Sequence, residues 1–280
     1  MIEADLHVHS DHSDGIYPPA RVVEMAVAAG LKAIALTDHD TVDGVGEALD
    51  SARSMGGLEV VSGVELSSTF RGREIHLLAY DIDHTDPGLA DFLAPMRHQR
   101  RLRAERIVAR LNELGVPVTM DEVQLHAGRS GTGSIGRPHI ADAIVAHKAA
   151  ADIDDAFARF LRRGQPAYVA RAFLEVGAAV RQVHLLGGTI VVAHPALNLG
   201  EGDTEALARE GLDGIEVWHP KHAADQRERL LKMTRRLGLV ASGGSDYHGP
   251  GRNRHELASA GVPMRTLDEL RERAIRRGKG

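Results

Sequence analysis

The sequence predicts an α/β fold, a closed or nearly closed barrel with a helical insertion after its fourth strand. Three observations predict it. Short apolar runs alternate with amphipathic helical patterns that end in glycine, which argues for parallel strands joined by helices. About seven such units follow without a break in pattern, which favours a barrel over a doubly wound sheet. One stretch, from about residue 95 to 166, carries no convincing strand and reads as the insertion.

Taken in order, Ala4 to Val8 is the first strand, and Pro18-Pro19 starts a helix whose apolar face is Val22, Val23, Met25, Ala26 and Ala29. Gly30 suits the position just past its end, where a left-handed residue closes a helix. Ala33 to Leu36 is the second strand, and Thr41 or Asp43 offers a cap to a helix that stops at Gly56-Gly57. Glu59 to Val64 and Glu74 to Tyr80 are strands three and four. In the insertion, Leu102, Ile107, Val108, Leu111 and Leu114 recur at helical spacing, and 140–145 and 154–161 also read as helices. Between them lies a stretch rich in Gly and Ser, 128–139, with a helix beginning at Pro138. The barrel pattern resumes with a helix from about Leu174 to Leu186 and strand five, Thr189 to Ala193. Asp203 or Thr204 opens a short helix, Gly214 to Trp218 is strand six, and a helix through Leu230 and Leu237 leads to strand seven, Leu239 to Ser242. Thr266 and Glu269 have the spacing of a capping box for the last helix. The expected division is a barrel of residues 1–94 and 167–280, with 95–166 as an insertion that caps the active site.

Composition narrows the chemistry. With no cysteine, disulfides and thiolate metal sites are excluded, so any metal is held by His, Asp and Glu. A net charge of −5 leaves no global cationic footprint for duplex nucleic acid. Apolar runs are too short for a membrane span, and the start lacks the basic and apolar regions of a signal peptide, so a cytoplasmic address is expected.

The candidate ligands follow the strands. His7 and His9 end strand one, and because residues i and i+2 of a strand share a face they can share an ion. Asp14 sits in the next loop, His39 follows strand two, Glu65 strand three, His194 strand five, and Asp246 and His248 strand seven, while His76 lies on strand four. In a parallel barrel the strand ends converge on one face. Nine ligand-type side chains are too many for one ion and suit three: His7, His9 and Asp246; Asp14, His39 and His248; His76 and His194; with Glu65 bridging. Imidazole and carboxylate without sulfur fit Mn, Fe or Zn. Asp38 or Asp40 is expected to orient or cap rather than ligate.

These motifs, His7-Val-His9-Ser, Ser13-Asp14-Gly, Leu36-Thr-Asp-His39-Asp-Thr, Gly63-Val-Glu65, Ala193-His194-Pro and Gly244-Ser-Asp246-Tyr-His248, resemble those of the PHP (polymerase and histidinol phosphatase) phosphoesterases over nearly the whole chain. Each motif ligand is present, with Asp at position 14 where some relatives carry His. Gly136-Arg137-Pro-His-Ile-Ala makes the chain similar to the bacterial subgroup of nucleoside 3′,5′-bisphosphate phosphatases and 5′-to-3′ exoribonucleases acting on short RNA. The resemblance implies a distorted (β/α)7 TIM-like barrel, a trinuclear centre loaded with Mn, Fe or Zn, and phosphoester hydrolysis.

The expected reaction is removal of the 3′-phosphate from a nucleoside 3′,5′-bisphosphate by a metal-bound hydroxide, with Mn2+ the first choice of metal. His219 is the candidate acid for the leaving oxygen. Arg137, with its bidentate fork, and Ser134 are expected to bind phosphate, with Lys221 and His222 holding a second anionic group; Arg129, Arg252 and Arg254 have weaker claims. Six arginines between Arg97 and Arg110 read as the solvated face of an insertion helix. Few aromatic side chains offer no stacking platform for long single strands, so the partner is a small nucleotide or short oligonucleotide. Exonucleolytic cleavage of short 5′-phosphorylated RNA and histidinol-phosphate hydrolysis are the enzymatic alternatives. A metal amidohydrolase fits less well, since it expects a bridging Lys where Glu65 stands. A catalytically idle metal-binding module is the non-enzymatic alternative.

Overall fold

The computed structural model of the chain describes residues 2–127, 134–170, 174–197 and 199–278. Its strands are β1 (Ala4–Val8), β2 (Ala33–Leu36), β3 (Glu59–Phe70), β4 (Arg73–Tyr80), β5 (Leu174–Glu175), β6 (Thr189–Val192), β7 (Gly214–Trp218) and β8 (Val240–Gly243). They pair in the order β1-β2-β3-β4-β6-β7-β8, with short β5 added alongside β3. Val8 bridges Tyr247, and the His9 N–H donates to the Tyr247 carbonyl at 2.9 Å, so the sheet nearly closes into a barrel. Alternation sorts the side chains. Ala33, Ala35 and Val191 join Leu6, Tyr80 and, across one end, Leu267 and Leu270 in one apolar cluster. Ile34, Leu36, Ile190 and Val192 join a second, with the helices that cover the strands.

One strand departs from the all-parallel expectation. β4 runs antiparallel to both β3 and β6. The reason is the connection: β3 continues to Phe70 and turns back through Arg71 and Gly72, whose φ angles are +50° and +73°. A two-residue loop with both φ positive makes a hairpin and is far too short for a parallel crossover. Reversal places His76 near the start of β4, opposite Ser67, where its carbonyl accepts from the Ala193 N–H at 3.0 Å. His76 therefore still reaches the rim formed by the ends of the parallel strands.

The helices are α1 (Pro19–Ala28), α2 (Val45–Met55), α3 (Pro87–Glu113), α4 (Met120–His126), α5 (Arg137–Ala146), α6 (Ile153–Ala156), α7 (Val176–Leu185), α8 (Glu201–Ala208), α9 (Ala224–Leu237) and α10 (Arg265–Arg277). Several expected starts are corrected. The cap position of α2 is Gly44, and the Thr41 hydroxyl accepts from the Asp43 N–H instead. The α8 helix begins after Gly200, which frees Asp203 to pair with Arg71 and Arg73. Leu174 and Glu175 belong to β5 rather than to α7. Met264 occupies the cap position of α10, so Thr266 lies inside the helix and no capping box forms. No helix among the described residues is long and apolar enough to cross a membrane.

The insertion is helical. Its apolar residues, among them Ile107, Leu111, Val123, Ile140, Ile144 and Leu161, form a cluster of their own. The long α3 carries both the Leu89 and Leu93 contacts to the barrel and the Ile107 and Leu111 contacts to that cluster. Residues 128–133 of the Gly-rich loop, with Arg129, lie outside the described residues.

Candidate metal centre

Glu65 is the centre of the site. Its Oε2 lies 3.3 Å from His7 Nε2, 3.2 Å from His9 Nε2 and 3.1 Å from His39 Nδ1. Its Oε1 lies 2.8 Å from His76 Nδ1 and 3.1 Å from His194 Nε2. Each carboxylate oxygen thus faces a different set of imidazoles, as a bridging carboxylate must. The remaining expected residues close the ring. His7 Nε2 is 3.4 Å from Asp246 Oδ1, His248 Nε2 is 3.2 Å from Asp14 Oδ1, and His39 Nε2 is 3.7 Å from Asp14 Oδ2. His7, His9 and Asp246 form one cluster of ligand atoms, and Asp14, His39 and His248 form another together with His9. His39, Glu65 and His76 form a third, so His76 meets His39 as well as His194 through the shared carboxylate.

The donor chemistry fits metal ions. His7 Nδ1 lies 3.0 Å from Glu216 Oε1 and donates its proton there, which leaves the Nε2 lone pair facing two carboxylates. Lone pair against carboxylate is repulsive unless a metal ion or a proton sits between them. His248 repeats the pattern, with Nδ1 against the Asp246 carbonyl at 2.9 Å and Nε2 toward Asp14. His7 Nε2, His9 Nε2, His39 Nδ1 and Asp14 Oδ1 are buried without a hydrogen-bond partner. Such orphaned atoms are costly in a closed site, and ligation by a metal satisfies them.

Electrostatics point the same way. Burial pushes the carboxyls of Glu65, Asp14 and Asp246 up, but the surrounding imidazoles outweigh it and hold all three well below the usual range. Burial depresses His7 and His9, yet Glu216, Glu65 and Asp246 raise His7 well above its ordinary value, and Asp246 and Glu65 bring His9 to about 10. At His39 burial wins and the ring is held well below its ordinary value. The nest draws positive charge.

Backbone and neighbours hold these side chains in place. Asp40, His194 and Asp246 have φ of +54°, +30° and +53°, a region that costs L-residues about 1–3 kcal/mol and gathers at functional sites. Asp38 accepts from the Ser10 N–H at 2.8 Å and the Ser13 hydroxyl at 2.6 Å, which fixes the loop bearing Asp14. Asp40 accepts from the Ser67 N–H at 2.7 Å and from Arg100 Nε at 2.5 Å. Both acids beside His39 therefore orient neighbours. Gly244 packs against β1 so closely that an added Cβ would lie 2.4 Å from the His7 Cβ and backbone nitrogen. Gly244→Ala is expected to displace His7 and lower both thermal stability and bound metal; wild-type values for both in thermal melts and metal analysis would refute the steric account.

The other expected residues divide. His219 is buried, with Nε2 3.3 Å from Asp246 Oδ2 and Nδ1 accepting from the Lys221 N–H at 3.2 Å. A cavity of about 140 Å3 opens beside Asp14, His39 and His76, and Arg137 lines it. Ser134, Lys221 and His222 are not among its lining residues. The Ser134 N–H donates to the His12 carbonyl at 2.9 Å, and Lys221 is exposed. His222 is buried beneath His219, with Nδ1 3.0 Å from the Val217 carbonyl, because its loop turns inward. Arg252 pairs with Asp142 of α5 at 2.5 Å, so it ties the rim to the insertion.

Sequence reasoning missed five neighbours. Glu216 supports both His7 and the His194 N–H, the latter at 2.6 Å; its signal was an acid inside an apolar strand. Asp5 carried the same signal: it accepts from the Ser245 N–H at 2.8 Å, and burial pushes its carboxyl up to about 6. His255 lies with His219 and Asp246, and no pattern around it marked it. Arg100 and Arg103, expected on a solvated face, are buried and line the cavity.

A family model for the PHP domain matches residues 5–115. A 5′-3′ exoribonuclease of Haemophilus influenzae is 33% identical over 88% of this chain and 90% of its own length. A 3′,5′-nucleoside bisphosphate phosphatase of Chromobacterium violaceum is 33% identical over 90% and 89%, and a phosphoribosyl 1,2-cyclic phosphate 1,2-diphosphodiesterase of Eggerthella lenta 34% over 89% and 95%. Among solved structures, one described as a metal-dependent phosphoesterase of Bifidobacterium adolescentis superposes with a TM-score of 0.89 at 33% identity, covering 95% of this chain and 94% of its own.

Proposed function

The chain belongs to the PHP family of metal-dependent phosphoesterases, and from that premise we propose that it hydrolyses the 3′-phosphate of a nucleoside 3′,5′-bisphosphate to leave the 5′-monophosphate. The observation that carries the reading is the cavity: it joins Asp14, His39 and His76 to Arg137, so a phosphoryl group among the ligands has a cation beside it for a second anion.

We assign His7, His9, Asp14, His39, Glu65, His76, His194, Asp246 and His248 as ligands of three divalent ions, manganese first, with iron or zinc as alternatives. When bound, such ions acidify water toward neutrality and neutralise phosphoryl charge. The protein's own residues do the rest. Glu216 and the Asp246 carbonyl fix the tautomers of His7 and His248. Because His219 Nδ1 accepts from the Lys221 N–H, Nε2 is the nitrogen that donates, at the edge of the cluster, where it would hydrogen-bond a leaving oxygen. Residues 95–166 act as the cap, and the reaction is placed in the cytoplasm.

A turnover panel with manganese tests the reading: nucleoside 3′,5′-bisphosphate, nucleoside monophosphates, short 5′-phosphorylated RNA and histidinol phosphate. Preferred release of inorganic phosphate from the bisphosphate is expected. Faster release of nucleotides from RNA would instead establish the exoribonuclease reading, which the relatives of that name favour.

A further inference from the structure

Asp14 and His248 stand farther past the ends of their strands, β1 and β8, than any other of the nine assigned ligands. The sheet does not hold them, yet one ion can take both only while Asp14 Oδ1 and His248 Nε2 stay close, here 3.2 Å apart. Their two loops meet where the Ile16 N–H donates to the His248 carbonyl at 2.9 Å. Asp38 fixes the Asp14 loop from one side, and the start of α5 in the insertion holds the other. The Ser134 N–H donates to the His12 carbonyl at 2.9 Å, and Gly136 packs so near that an added Cβ would lie 3.5 Å from Asp14 Oδ2. The Gly136 N–H donates to Nδ1 of His139 at 3.1 Å, a buried ring in the first turn of α5. Burial pushes the His139 pKa down to about 4, so the ring is neutral; with Nδ1 accepting, its proton is on Nε2, and the Ser13 carbonyl is the backbone acceptor beside it. On the same face of α5, Asp142 pairs with Arg252 at 2.5 Å, and Arg252 Nη1 reaches the Pro138 carbonyl at 3.4 Å. Gly249 and Gly251, with φ of +96° and +83°, give the chain leading to Arg252 little stiffness of its own. Asn253 comes next, and its amide donates to the Asp246 carbonyl that also accepts from His248 Nδ1. One turn of α5 thus grips both loops.

We propose that this turn of α5 sets how tightly the ion of Asp14, His39 and His248 is held, far more than it affects the other two ions. His139 and the Asp142–Arg252 pair are positioning residues: the first clamps the loop of Asp14, the second the loop of His248. The inference rests on the ligand assignment above, and it is independent of which phosphoester is cleaved. By linkage the same ion, once bound, steadies the insertion against the barrel.

The test is calorimetry of manganese binding to metal-stripped full-length protein, with no turnover needed. Wild type is compared with Asp14→Asn, which lacks the ligand, and with His139→Asn, His139→Gln and Arg252→Met. His139→Asn and Arg252→Met are each expected to weaken one ion roughly 10- to 100-fold, the cost of losing a residue that orients a metal ligand, and to leave the others near wild type. Placed in the Asp14→Asn background, where that ion is already lost, neither should cost anything further. Arg252→Met acts on the opposite loop and decides the matter if a His139 variant folds poorly. His139→Gln can still reach the Ser13 carbonyl with an N–H, whereas His139→Asn can only cap Gly136, so Gln should hold the ion more tightly than Asn. A residue that merely starts α5 predicts the reverse order, and a strut that merely holds the insertion predicts equal weakening of every ion; either result overturns the inference. An Asp14→Asn protein that binds as many ions as wild type would overturn the ligand assignment and the inference with it. Loss of an ion in Asp14→Asn but in neither His139→Asn nor Arg252→Met would leave the assignment standing and overturn the inference alone.

Discussion

Glu65→Gln is expected to reduce phosphoester hydrolysis by well over about 100-fold, the upper end of what losing a residue that only orients a metal ligand costs. Glu65 faces five imidazoles, three through Oε2 and two through Oε1. The amide keeps the shape but removes the charge, and it turns one acceptor into a donor aimed at histidine lone pairs. Ions on both sides of the carboxylate should be lost together, so metal analysis should show a drop of more than one ion per chain. Asp246→Asn, at one edge of the cluster, should lose fewer ions. A Glu65→Gln protein with full metal content and hydrolysis within tenfold of wild type would remove Glu65 from the bridging position.

The candidate ligands were legible because chemistry and position coincide: a histidine or acid directly after a buried apolar run has no packing reason to be there. His7, His9, His39, Glu65, His194, Asp246 and His248 were placed on that ground, and the structure gathers them within a few ångströms of one another. What the sequence hid was direction. The Arg71-Gly72 hairpin follows a run, Ser67-Ser68-Thr69-Phe70, that reads as a loop because its polar residues interrupt the apolar pattern. They are nonetheless strand residues, paired to β4, and Ser67 and Ser68 are fully buried beside Asp40 and β5. The α3 arginines were hidden for a different reason. Helical phase alone separates exposed Arg101 from buried Arg100 and Arg103, and phase acquires meaning only once the cavity is known. His255 approaches His219 through a loop whose path no local pattern encodes.

Removing the metal should change how stability depends on pH, and the sign follows from two histidines. In the metal-free protein His7 is raised well above 6.5 and His9 to about 10, because each faces carboxylates that favour its charged form. A raised folded-state pKa contributes stability that is complete below 6.5 and is lost as pH climbs toward 10. The neighbouring carboxyls and His39 do not oppose this trend in that window. The depressed carboxyls of Glu65, Asp14, Asp246 and Glu216 give up their contribution only in acid. Asp5, raised to about 6, has lost its contribution by that pH, and His39, depressed below 6.5, contributes fully above it. Metal ions reverse the trend, since they bind the deprotonated imidazoles and their affinity rises as protons leave. Binding to the folded state alone then adds stability by mass action. The gap in Tm between manganese-loaded and chelator-treated protein should therefore widen steadily from pH 6.5 to pH 9.5. Proton and metal compete for the same lone pairs in this account, so a gap that stays constant or narrows across that range would show that the histidines of β1 do not hold the ions.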